Sequence, residues 1–123
     1  LAGENSEEEV KDVRLPIEYY DDGKIKTQFR AETAMIPAKG DIHAIKARLE
    51  FFTNNVMNGV VTVDDCFYNR TNSLMRSDKS VRMEKDGVLI TGQGMFWDVS
   101  SQNILILDDV KVEFFRAINS KRL

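Results

Sequence analysis

The sequence predicts an all-β domain, an antiparallel sandwich, jelly roll or barrel. Three observations carry that prediction. Apolar and polar residues alternate with a period of two over long runs. Turn-forming residues interrupt those runs at short intervals, and no stretch shows a sustained helical stripe with caps. The 123 residues are one domain's worth of chain. A domain of this size removes roughly two-thirds of its unfolded surface from water, so it folds without staples.

Residues 1–12, "LAGENSEEEVKD", carry five acids and few large apolar groups, too little to offset chain entropy, and read as a flexible acidic leader. This start is expected to be a cut inside a longer product, from which a signal or membrane anchor has been removed. The domain proper is expected over 13–116, with a C-terminal tail over 117–123. Val13 to Tyr20 is β-like. In "GKIKTQFRAETAMI", Ile25, Thr27, Phe29, Ala31, Thr33 and Met35 alternate with Lys24, Lys26, Gln28, Arg30 and Glu32. In "IHAIKARLEFF", His43, Ile45, Ala47, Leu49 and Phe51 share one face. Further runs are Val60 to Tyr68, Ser80 to Glu84, Val88 to Thr91, Met95 to Val99 and Ile104 to Phe115. Turn signals separate them at Asp21-Asp22-Gly23, Asn54-Asn55, Asn58-Gly59, Asn69 to Ser73, Asp86-Gly87 and Ser100 to Asn103. A one-residue bulge would exchange the faces of any of these strands.

A strand, a polar turn and a return strand are written twice. An offset of 29 aligns Phe67 with Phe96, Tyr68 with Trp97, Asn69 with Asp98, Thr71 with Ser100 and Val81 with Val110. A shorter third copy is arguable at "LEFFTNNVMNGVVTVD", with Thr53-Asn54 as its turn. Repetition of a hairpin-like unit suggests a sheet grown by stacking, in which each unit hides its apolar face against its neighbours.

In "ITGQGMFWDVSSQNILILDDVKVEF" a small residue, Met, an aromatic, an acid, a polar turn and a strand ending in Val-x-Val follow one another. That order resembles the OstA-like family of periplasmic lipopolysaccharide-export proteins, which includes the LptA and LptC groups. The leading strands "GKIKTQFRAETAMI" and "GDIHAIKARLEFF" fit the family's order of elements. A Gly-Asn usual in the family before the Val-x-Val strand is Asp108-Asp109 here. The resemblance implies a V-shaped β-jellyroll of two antiparallel sheets, an apolar interior for acyl chains, and open edges that join like domains end to end. It implies a periplasmic or envelope location, a connection to an inner-membrane export complex, and no catalytic residues or cofactor.

The expected apolar interior is formed by Phe29, Met35, Leu49, Phe51, Phe67, Met83, Met95, Trp97, Ile106, Val112 and Phe114. For any one of them an ordinary dry core is the plainer reading, because a large apolar side chain is most often simply buried. A sheet with one large apolar face and no helix to cover it must close on itself or hold something apolar. The competing reading is a closed β-sandwich with a dry core and a protein or glycan partner on its loops. Lys24, Lys26 and Arg30 form a basic row on the opposite face, which would meet anionic head groups if it bordered an apolar mouth.

The remaining chemistry excludes more than it offers. With 17 basic against 20 acidic residues, net −3, the chain lacks the basic excess of a nucleic-acid domain. Cys66 is the sole cysteine, which rules out an intrachain disulfide and a multi-thiolate zinc site, and reads as a small buried hydrophobe. His43 is the sole histidine, and no nucleophile elbow accompanies it. The pairs Asp21-Asp22, Asp64-Asp65 and Asp108-Asp109 point to opposite faces if they lie in strands, so turn and edge chemistry is their expected role and no metal site is expected.

Overall fold

In the computed structural model of the chain, residues 7–115 are described. They form seven strands: β1 (Glu7–Tyr19), β2 (Ile25–Pro37), β3 (Ile42–Thr53), β4 (Val56–Asn69), β5 (Leu74–Lys85), β6 (Val88–Asp98) and β7 (Asn103–Phe114). Each pairs antiparallel with the next, in the spatial order β1 to β7. The order follows from the connections, which are all short enough for hairpins. The fold is therefore all-β and antiparallel, as the alternation predicts, but its strands make one continuous sheet rather than two separately hydrogen-bonded ones.

Most turns sit where the sequence places them. Asn54 and Asn55 adopt φ of 51° and 66°, and Asp86 and Gly87 adopt 52° and 80°, the paired left-handed conformations of a two-residue hairpin turn. Asn55→Gly is expected to stabilise the fold by up to about 1 kcal/mol, because glycine occupies that conformation without a Cβ penalty. A thermal melt showing no gain would count against it.

The repeat at offset 29 survives in atomic detail. Asn69 Oδ1 accepts the amide of Thr71 at 2.8 Å, and Asp98 Oδ1 accepts that of Ser100 at 3.1 Å. Ser73 N donates to Asn69 O at 2.9 Å, and Gln102 N to Asp98 O at 2.8 Å. Ser73 and Gln102 close the two turns at φ of 60° and 63°. The arguable third copy is different: its turn at Asn54-Asn55 lies at the opposite end of the sheet, because one further strand reverses the chain direction.

Three expectations need correction. The sheet begins at Glu7, inside the stretch read as a leader, because Glu7 to Lys11 pair with Thr33 to Pro37 and so satisfy their backbone despite a polar sequence. Residues 1–6 and the tail over 117–123 lie outside the described residues. Asn58-Gly59 is not a turn but part of β4. Gly59 faces Phe51 beside a register shift, and a Cβ there would stand 2.9 Å from Lys85 Cγ, so the glycine serves a close approach. The runs Val88 to Thr91 and Met95 to Val99 are one strand, carried through Gly92-Gln93-Gly94 with Gly94 at φ 84°.

A line of irregularities crosses the sheet at mid-strand. Asp12 does not ladder with Glu32, nor Glu32 with Lys46, nor Lys46 with Asp64. The register shifts between Ser77 and Ser80 and between Thr91 and Gln93. Asp12, Lys46 and Asp109 on this line all have positive φ. Across it the inward-facing set changes parity, from Phe29 and Ala31 to Ala34 in β2, from Leu49 and Ala47 to Ala44 in β3, and from Val61 and Val63 to Cys66 in β4. A strict alternation read along the sequence therefore fails halfway along each of these strands.

The sheet is also curled. Phe29 of β2 and Trp97 of β6 belong to one buried cluster and line the same cavity. In a flat sheet, strands four places apart would lie about 19 Å from each other.

Candidate functional site

The curl encloses an apolar cavity of about 240 Å³, the space of roughly eight water molecules. β1 supplies Val10, Val13, Leu15 and Ile17, and β2 supplies Phe29, Ala34 and Ile36. The rest of the wall is Ile42 and Ala44 of β3, Tyr68 of β4, Met75 of β5, Trp97 of β6, and Val99 just beyond it. Tyr68 is the one lining residue with a hydroxyl, and it is directed to Ser73 Oγ at 3.5 Å. Val10 and Leu15 are exposed as well as lining, so the cavity opens past the outer strand β1.

Trp97 is 2 % exposed and is the largest of the fully buried side chains. Its indole Nε1 has no hydrogen-bond partner among the described residues. A much smaller void of about 10 Å³ within the same cluster is lined by Leu49, Val61, Cys66, Met95 and Trp97 among others. Burial, and then the charge of Asp65, push the Cys66 thiol up to about 12, so its thiolate is scarce at neutral pH.

The structure distributes the expected interior residues unevenly. Phe29, Leu49, Met95 and Trp97 are buried together, and Phe51, Met83 and Ile106 pack against them from partly exposed positions. Met35 and Phe67 lie outside this cluster. The parity change puts Ala34 and Ile36 inside in place of Met35, and Cys66 and Tyr68 inside in place of Phe67. His43 moves with them, stacking on Phe67 with ring centroids 4.3 Å apart and its Nε2 3.2 Å from Asp65 Oδ2. Val112 and Phe114 are exposed on the edge strand β7, at 50 % and 82 %.

Both outer strands leave apolar side chains uncovered. On β7 these are Leu105, Leu107, Val110, Val112 and Phe114, and on β1 they are Val10, Leu15 and Tyr19. Neither strand has a second ladder partner among the described residues, so one side of each backbone is free to pair. The sequence signalled apolar strands here but not which of them lie at the edges.

The basic row is also rearranged. Lys24 and Lys26 face acids, Asp22 and Glu18, each at 3.7 Å. Arg30 instead sits between Arg14 and Arg48 in a transverse row on the outer face. Arg48 is held by the buried Glu50, with Nε 3.1 Å from Oε2, and Gln28 donates to the other oxygen at 3.0 Å. No group of three His, Cys, Asp or Glu arranged for a metal occurs among the described residues.

No protein-family model matches the sequence, and no curated protein does so. A solved structure does share the fold: LptH of Pseudomonas aeruginosa, described as the LptA-homologous periplasmic component of the conserved lipopolysaccharide transport device. The match covers 92 % of this chain and 97 % of that one, with a TM-score of 0.54 and 10 % identity. The fold is thus that of an LptA-like β-jellyroll, as the resemblance in the sequence implied.

Proposed function

We propose that this protein is a non-enzymatic component of lipopolysaccharide transport, or of a closely related lipid transport, in the periplasm or cell envelope. It shelters acyl chain in its curled apolar interior and docks edge to edge with like domains. The observation that carries the reading is the apolar cavity of about 240 Å³ opening past β1. A void of that size in a close-packed protein forfeits dispersion contacts along its whole lining, and a hydrocarbon segment restores them. Each methylene removed from water contributes about 0.8 kcal/mol, so a few suffice for measurable binding without any specific polar contact.

The periplasmic transport role of the LptH fold supports this assignment. Phe29 and Trp97 are the interior residues we assign to the acyl chain, since both line the cavity. Arg30 is the best placed of the three cations for a head group, because Lys24 and Lys26 already face carboxylates. The closed, dry sandwich fits less well, since the described sheet has two unpaired edges and an unfilled interior.

Native mass spectrometry of protein purified without detergent is the direct test, repeated after adding a lipid A-like amphiphile. An adduct of defined stoichiometry is expected. Bare protein that ignores the amphiphile would remove the acyl-binding reading.

A further inference from the structure

A line of cations crosses the outer face of the sheet. Arg14, Arg30 and Arg48 pair side by side on β1, β2 and β3, and the same ladder continues through Thr62, Arg82, Thr91 and Lys111. Directly paired residues point to the same side of a sheet, so the cations stand in one line about 29 Å long. Like charges placed directly opposite each other destabilise a sheet. Burial does not explain the adjacent arginines, since Arg14 and Arg30 are exposed.

From β3 to β7 this line forms one wall of an open groove of about 850 Å³. Each of these strands contributes three consecutive residues, centred on Ala47, Val63, Val81, Gly92 and Val110. Ala47, Val63 and Val81 bury their side chains in the core cluster, so the groove runs over the opposite face. Its first wall, Arg48, Thr62, Arg82, Thr91 and Lys111, alternates cations with hydroxyls. Its second wall, Lys46, Asp64, Ser80, Gln93 and Asp109, is rich in hydrogen-bond acceptors. Beyond the cationic wall lies a parallel row that holds Glu50, Glu84 and Glu113. A broad anionic surface pressed onto this face would therefore meet carboxylates on both sides of the cations, whereas a single narrow chain along the groove would not. No aromatic side chain lines the groove for nucleic-acid bases to stack on.

We propose that this groove binds a linear anionic saccharide, a chain that carries acidic groups together with free hydroxyls. The acidic groups accept hydrogen bonds from Arg48, Arg82 and Lys111, and the hydroxyls donate to Asp64 and Asp109. The site lies on the face opposite the acyl cavity and goes beyond the function proposed above. Arg30, assigned there to a head group, is a neighbour in the same line.

The experiment titrates the intact protein with a long oligogalacturonate, which has one carboxylate and free hydroxyls on every sugar, and with its methyl ester, the same chain without charge. The acid form should bind about tenfold more tightly than the ester, the sum of a few exposed ion pairs, and should weaken as salt is added. Arg82→Gln and Lys111→Gln, both at exposed positions, should each weaken it by about two- to fivefold. Asp64→Ala separates a sugar from bare charge. Removing that exposed carboxylate should weaken a ligand that donates hydroxyls to it, but would tighten one drawn by positive charge alone. Absence of binding, equal affinity for acid and ester, or tighter binding by Asp64→Ala would each overturn the proposal. So would binding of single-stranded DNA or of vesicles of anionic phospholipid as tight as that of the oligogalacturonate. None of these outcomes bears on acyl binding, which uses the other face.

Discussion

Trp97→Ala is expected to destabilise the fold by about 3–5 kcal/mol, the cost typical of removing a large aromatic from a packed interior. The side chain is 2 % exposed and belongs to the cluster that holds Phe29 against Met75 and Met95, so it ties β2 to β5 and β6 across the curl. Small domains have only about 5–15 kcal/mol in total, and the variant would therefore lose much of its margin. Urea unfolding followed by far-ultraviolet circular dichroism measures the loss without relying on the deleted fluorophore. A loss below about 1 kcal/mol would mean that the curl is held by the other members of the buried cluster. Trp97→Phe keeps most of the ring contacts and should be much milder.

Local chemistry made much of this fold readable. The repeated turns could be paired at an offset of 29 because Asn69 and Asp98 each cap the following amides with a side-chain oxygen, a role few residue types perform. Strand existence followed from period-two alternation in the same way. The direction of individual side chains did not, because at mid-strand the ladders are interrupted at Glu32 and Asp64 and between Val63 and Phe67, with left-handed conformations at Asp12, Lys46 and Asp109 on the same line. None of these is glycine, so composition gives no warning, and the faces of Met35, His43 and Phe67 came out reversed. Asn58-Gly59 failed for the opposite reason. A pair that usually marks a turn was present because Lys85 packs where a Cβ would stand. The cavity, and the unmet indole in its wall, depend on strands far apart in the sequence and could not be read from any local pattern.

The open edges yield the second large effect. Each carries inner-face apolar residues that stay exposed among the described strands, Leu15 on β1 and Val112 on β7, at 54 % and 50 %. If like domains add β7 of one to β1 of the next, the contact is heterologous and does not close, so chains should lengthen with concentration. A lysine facing inward on an edge strand blocks such pairing. Leu15→Lys and Val112→Lys should each weaken self-association by about tenfold or more in sedimentation velocity. At exposed positions neither should change stability by more than about 0.5 kcal/mol. A mixture of the two variants then separates the geometries. Leu15→Lys retains a sound β7 and Val112→Lys a sound β1, so head-to-tail docking predicts heterodimers that grow no further. A symmetric β7 to β7 contact would instead leave Leu15→Lys dimeric by itself, and a mixture that stays monomeric would exclude edge pairing between these two strands.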